Sequence, residues 1–227
     1  MEKSKFTLST PAAIVIAGIL ISGTIMFTGL KQSEQINAPV AKDIVMKKIS
    51  KSDHIREDLD APIVIVEYSD TECPFCKIFH ITMKTLLNDY QGKVSWVYRH
   101  FPIDSLHPKA HKEAQALECA GDLGGEESFW KYTDRLYEIT ESNNRLDPAE
   151  LPKIAEYVGL EKEKFNECLE SEKFKDLVDA QIKDAMSAGA SGTPYSVIVT
   201  KDGKQIPING AQPIDTIKNT IDILLDQ

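Results

Sequence analysis

Positive charge is in short supply in this 227-residue chain, with 26 Lys and Arg against 35 Asp and Glu for a net charge of −9. That balance disfavours nucleic acid or anionic lipid headgroups as partners. Internal repeats and low-complexity runs are missing. Together with ordinary hydrophobic (42%) and charged (27%) fractions, this argues against disorder, collagen-like repeats and a polytopic membrane protein. Ser and His occur without a nucleophile-elbow signature. Cysteine is scarce: Cys73, Cys76, Cys119 and Cys168 are the whole set. The length suits one domain, or one domain with an appendage.

Charge is also missing locally. From Phe6 to Leu30 there is neither a charged residue nor a histidine, and Pro11 to Leu30 reads PAAIVIAGILISGTIMFTGL. At about 1.5 Å per residue, a helix of that length crosses a hydrocarbon core of about 30 Å. Lys3 and Lys5 precede the run and only Lys31 follows closely, a bias that keeps the N-terminus in the cytoplasm and places the rest outside. A cleaved signal peptide is the other reading. The run is longer than a signal core and ends without a clear small-residue cleavage site, so residues 1–30 are expected to be an uncleaved anchor. Either reading exports the remainder, and outside the cytoplasm cysteines read first as redox or structural pairs.

Residues 31–47 show no sustained periodicity and are expected to be a linker. Ile63 to Tyr68, within APIVIVEYS, is a short β-branched run of buried-strand type. From Pro74 to Tyr90, Phe75, Ile78, Phe79, Thr82, Met83, Leu86 and Leu87 recur at helical spacing. KVSWVYRHF reads as the next strand, completing a βαβ unit. The following 90 or so residues contain no convincing strand. Five stretches with helical periodicity there predict an insert over residues about 104–189. TPYSVIVT and KQIPI, joined at Asp202-Gly203, predict a β-hairpin, and Pro213 opens a last helix with Ile214, Ile217, Ile221, Leu224 and Leu225 on one face.

The sequence TECPFCK holds Cys73 and Cys76 two residues apart, a spacing open to half a zinc site, a structural disulfide or a redox pair. Its context favours the redox pair: it sits at a strand-to-helix junction, the chain is expected to be exported, and there is no second C-x-x-C. Pro74 in the first helical turn places Cys73 near the N-cap, where free N–H groups and the helix dipole favour thiolate. Cys73 is therefore the expected nucleophile and leaving group, and Cys76 the resolving thiol. Negative charge at Asp70 and Glu72, read as loop residues, opposes that thiolate.

VEYSDTECPFC, followed about 120 residues later by SGTP, resembles the DsbA-like branch of the thioredoxin superfamily, over roughly Ala61 to Leu225. The resemblance implies an α/β thioredoxin fold with a helical insertion, a domain over residues 48–227, and exported thiol-disulfide oxidoreductase activity that needs no metal, nucleotide or other cofactor. It implies a cis Thr193-Pro194 bond facing Cys73, and a Thr193 backbone that pairs with an extended substrate. Glu67, six residues before Cys73, matches the buried acid of many such folds, whose role would be proton exchange with Cys76. A satisfied buried acid is the plainer alternative.

The direction expected is disulfide formation in exported, thiol-containing proteins of a bacterial periplasm, with a quinone-linked membrane partner as reoxidant. A reductase or isomerase acting on disulfide-containing proteins, fed by a membrane thiol donor, uses the same residues. A non-catalytic zinc-binding or protein-binding module is the rival of a different class. Cys119 and Cys168, on insert helices with Gln115, Ala116, Leu123, Phe165 and Leu169 beside them, are expected to form a structural disulfide. His107 and His111 have i,i+4 spacing but are not read as metal ligands. His100 could lie near the site, and His54 and His80 read as surface residues.

Overall fold

Two fully buried strands joined by one helix set the frame. The structure is a computed structural model that describes residues 44–226. The expected anchor over residues 1–30 and the linker up to residue 43 lie outside the described residues. Ile63–Ser69 (β2) and Val94–His100 (β3) are buried at every position, as strands covered on both faces must be. Pro74–Asp89 (α1) links them, and they pair in parallel from Ile63 opposite Val94 to Ser69 opposite His100. Tyr195–Thr200 (β4) runs antiparallel beside β2, and Gln205–Asn209 (β5) runs antiparallel beside β4. His54–Arg56 (β1) closes the other edge antiparallel to β3, which completes the order β1-β3-β2-β4-β5. This short strand was not foreseen, since three residues are too few to show a period of two.

Between β3 and β4 lies the helical insert: Ala110–Ile139 (α2), Glu150–Tyr157 (α3), Lys162–Glu170 (α4) and Lys175–Ser187 (α5). The first two expected helices are continuous across a break at Gly125, whose φ of 74° and ψ of −172° suit glycine alone. Ile214–Leu225 (α6) ends the chain, with Pro213 as its N-cap residue. Among the described residues no helix is long and apolar enough to cross a membrane.

The pleat divides β2 between two cores. Ile63 and Ile65 join Phe79, Met83 and Leu86 of α1, Ile217 and Ile221 of α6, and the insert residues Leu117, Leu136, Ile154 and Phe165 in one continuous apolar cluster. Val64, Val66 and Tyr68 face the other way, against Ala185 of α5 and the partly buried Ile44 and Met46. The last residues of the expected linker are thus part of the domain. Ile44, the first described residue, already packs against the sheet, and the Lys47 carbonyl accepts from the buried Arg99 guanidinium at 3.0 Å.

The buried face of α1 also differs from the expected one. Cys76, Phe79, His80, Met83, Leu86 and Leu87 point inward, whereas Phe75 and Ile78 are 60% and 55% exposed. His80 takes an inward position in which Asp134 of α2 accepts from its Nε2 at 2.7 Å, which offsets part of the cost of burying the ring, while its Nδ1 is buried without a partner. His54 is likewise no free surface residue, since its two ring nitrogens lie 3.1 Å from Glu118 and 2.9 Å from Glu126.

Candidate active site

Cys73 is the N-cap residue of α1, in extended conformation (φ −77°, ψ 121°), with Pro74 at the first helical position. Proline fits there because its missing N–H has no intrahelical partner to lose. The turn before it is fixed by the Cys73 N–H donating to the Asp70 carbonyl at 3.1 Å. Thr193 sits across from Cys73, its carbonyl 3.4 Å from Sγ, and the Thr193-Pro194 peptide bond is cis. Cys73 and Cys76 are both free thiols.

The two sulfurs occupy unlike environments. The Cys76 thiol, with help from the Thr193 side chain and the first-turn N–H groups of Cys76 and Phe75, holds Cys73 down to about 6 against the opposing effect of burial. Its sulfur makes no capping hydrogen bond of full geometry, so the helix N-terminus acts on it as a set of nearby dipoles. Cys76 is fully enclosed. Burial, the hydrogen bond with Cys73 and the negative charges of Cys73 and Glu67 all push its pKa well up. The Asp70 N–H reaches its Sγ at 3.4 Å.

Glu67 lies on β2 with Tyr98 of β3 and Ser196 of β4 as its ladder neighbours. It has no exposed surface, and neither carboxylate oxygen has a hydrogen-bond partner. Burial pushes its carboxyl up to about 8, and the neighbouring Ser69 hydroxyl and Trp96 indole offset only part of that. A carboxyl in this state holds a proton at neutral pH and can give it up. Beside it runs a hydrogen-bonded chain absent from the sequence reading: Ser69 Oγ to Tyr137 Oη at 2.9 Å, and Tyr137 Oη to Tyr98 Oη at 3.1 Å. Tyr137 comes from α2, and no local pattern ties it to the CPFC turn.

The fold thus brings Glu67, Cys73, Cys76, Thr193 and Pro194 together and leaves Cys119 and Cys168 apart. Those two join α2 to α4, Sγ to Sγ at 2.01 Å, so they pair with each other and not with the CPFC cysteines. Asp70 and Glu72 lie in the expected turn but are almost entirely buried. Asp70 accepts from the Ile103 and Glu72 N–H groups and pairs with the His107 ring at 2.9 Å. Glu72 faces Glu113 of α2, a second residue without a signal in the sequence. His100 is enclosed at the end of β3, 2.9 Å from Glu118, and His111 reaches Asp179 at 3.1 Å. Among the described residues no three His, Cys, Asp or Glu side chains are grouped to hold a metal ion.

Comparison with known proteins places this geometry. A family model described as Thioredoxin matches residues 50–223. The crystal structure of DsbA2 from Pseudomonas aeruginosa superposes with a TM-score of 0.67 at 27% identity, covering 78% of this chain and 97% of that one. Oxidised BdbD from Bacillus subtilis superposes with a TM-score of 0.68 at 25% identity, covering 82% and 100%. Among curated proteins, Na(+)/H(+) antiporter NhaA 3 of Salinispora tropica is 33% identical over 152 residues, 67% of this chain but 22% of that protein. The chain spans about a fifth of the length of such relatives, and the transport activity in their names is theirs.

Proposed function

Because the chain belongs to the thioredoxin family, as a DsbA-like thiol-disulfide oxidoreductase, we propose that it forms disulfides in exported proteins through the Cys73-Cys76 pair, held at the outer face of a bacterial membrane by residues 1–30. The observation that supports this direction is the contrast between the two sulfurs, one stabilised as thiolate and the other held as thiol. Stabilising the Cys73 thiolate stabilises the reduced pair, and that makes the disulfide a stronger oxidant.

The reaction starts from the oxidised pair. A substrate thiolate attacks Cys73 Sγ, the Cys73-Cys76 bond breaks, and Cys76 leaves as a thiolate of high proton affinity. Glu67 supplies the proton it takes up. A second substrate thiol, on losing its proton, attacks the substrate sulfur of the mixed disulfide and expels Cys73 as thiolate. Of the two protons the substrate loses, one restores Glu67 and the other is released to solvent, while the two electrons stay on the pair as Cys73 thiolate and Cys76 thiol until a quinone-linked membrane partner removes them. The Thr193 backbone, 3.4 Å from Cys73 Sγ, would pair with the substrate chain and align its sulfur. The apolar run at Pro11 to Leu30 and the lysines before it support the anchor and the outward orientation.

The test is the redox equilibrium of the full chain against glutathione, read by alkylation and mass. An oxidase is expected at about −120 to −180 mV, the range of strong protein oxidants. A value near about −230 mV or lower would reverse the direction to reduction, with a thiol-donating membrane partner.

A further inference from the structure

Two buried carboxyl side chains at the turn that bears Cys73 have no part in that reaction. Glu72 precedes Cys73 in the turn after β2, and Glu113 lies in the first turn of α2. They are 0% and 2% exposed, and after burial the neighbouring Glu72 carboxyl is the strongest influence raising the Glu113 pKa. Their donors are few. The Thr71 hydroxyl donates to Glu113 Oε2 at 2.7 Å and the Asn144 N–H donates to Glu72 Oε2 at 2.6 Å, while Glu72 Oε1 is buried with no partner. Two ionised carboxylates do not persist side by side in such a place, and one shared proton removes both the repulsion and the orphaned acceptor.

What Glu72 holds gives the pair a role. The Asn143 N–H donates to the Glu72 carbonyl at 2.7 Å, next to the Asn144 contact. Ser142, Asn143 and Asn144 all have positive φ, of 60°, 54° and 64°. Non-glycine residues visit that region singly, so three in a row need outside support. Glu72 provides it from one side. Lys109 Nζ, on the Asn144 and Leu146 carbonyls at 2.7 Å, and Lys77 Nζ, on the Thr140 carbonyl at 2.6 Å, provide it from the other.

We propose that Glu72 and Glu113 share one proton, and that this proton positions the turn bearing Cys73 by letting Glu72 tie residues 142–144 of the insert to the cysteine pair. The proposal rests on the reading of Cys73 as the exchanging sulfur and adds a positioning pair from the insert. The charged and titratable groups that act on Glu113 besides Glu72 are Asp70, with its partner His107, and the Tyr132 hydroxyl, which donates to the Leu151 carbonyl, while the Lys77 and Lys109 ammoniums are held on carbonyls of the 140–146 segment. Burial, then Glu72, push the Glu113 carboxyl up to about 8. The tie is therefore intact below that pH and loosens above it, where Glu113 becomes a negative charge against the turn that bears Cys73, held there by the Thr71 hydroxyl, and so disfavours the Cys73 thiolate.

The experiment follows the glutamate carboxyl carbons of the oxidised full chain by NMR from about pH 4 to about pH 10, with amide exchange protection at Asn143 and Asn144. The Glu113 carboxyl is expected to titrate at about 8, with protection falling about tenfold through the same step, the change in an equilibrium that one pKa unit represents. In the reduced chain the Cys73 thiolate titration should bend at that pH, and Glu113→Gln, which donates an amide hydrogen at every pH, should remove the bend and keep the protection. Thr71→Val, which deletes a donor favouring the ionised form, should move the step upward. A Glu113 carboxyl that titrates in the ordinary range, or flat protection across the step, overturns the proposal, and the unsubstituted chain decides this even where a variant fails to fold. None of these readouts needs a substrate. A chain that titrates as expected but forms no disulfides would overturn the proposed function and leave the shared proton standing.

Discussion

Glu67 shows how one residue couples stability to chemistry. Its folded-state pKa is pushed from the usual 4.5 to about 8 by burial, so the folded chain binds a proton that the unfolded chain has released over that interval. Its protonation favours folding fully below about 4.5, and this contribution is lost as pH rises through about 8. The oxidised protein is the right sample, since neither cysteine of the pair titrates there and burial, the main cause, persists. Glu67→Gln cannot ionise and should flatten the decline of unfolding free energy between those pH values by a few kcal/mol, at about 1.4 kcal/mol per pKa unit. Denaturant titrations across the pH range measure it, and some slope should survive because Glu113 titrates in the same direction. The same variant has no proton to give Cys76, so disulfide transfer at neutral pH should slow about tenfold or more. An unchanged rate with a flattened stability curve would make Glu67 a buried acid without a role in transfer.

At the scale of elements, α1 and the insert divide the work between their cysteines. Cys73 owes its environment to the N-terminus of α1 and to the loop before β4, whereas Cys119 and Cys168 close a separation of 49 residues between α2 and α4. Cross-linking a loop of that size contributes about 4 kcal/mol through the entropy of the unfolded chain, and measured values often fall lower. Cys73→Ala should therefore abolish turnover at nearly full stability, and Cys119→Ala should lower stability by about 2–4 kcal/mol with turnover largely kept. Denaturation midpoints beside a disulfide-formation assay separate the two, and equal loss of activity in two well-folded variants would refute the division. The elements themselves were largely legible. The β-branched run of β2, the proline after Cys73 and the Asp202-Gly203 turn each encode a local backbone choice that tertiary packing left alone. The face of α1 was not, because spacing alone let Phe75 and Ile78 pass for core residues, and the insert decided which side to cover. Glu113 and Tyr137 were invisible for a related reason: α2 delivers them to the CPFC turn from 40 residues away or more, where no period or motif in the chain records the meeting.

For the whole molecule, charge and length bear on where the domain works. Glu2, Lys3 and Lys5 are the only charged residues among the first 30, so the part beyond the apolar run is more acidic than the net −9 of the whole chain. Such a domain gains nothing from lying on an anionic lipid surface. Ile44, the first described residue, already packs against the sheet, and residues 31–43, read from the sequence as linker, would reach at most about 45 Å if fully extended at about 3.4 Å per residue. That reach suffices to turn the CPFC site toward soluble exported substrates or back toward a membrane partner, provided residues 1–30 remain attached. In cells expressing the full chain, Cys73 should then react with a membrane-impermeant thiol reagent added from outside after mild reduction, while the protein stays in the membrane fraction after a high-salt wash and keeps its N-terminal residues by mass. A shortened chain in the soluble fraction would show cleavage and leave export standing. Protection of Cys73 from the reagent until the membrane is opened would place the domain on the cytoplasmic side, and with it would fall the reading of this chain as an oxidase of exported proteins.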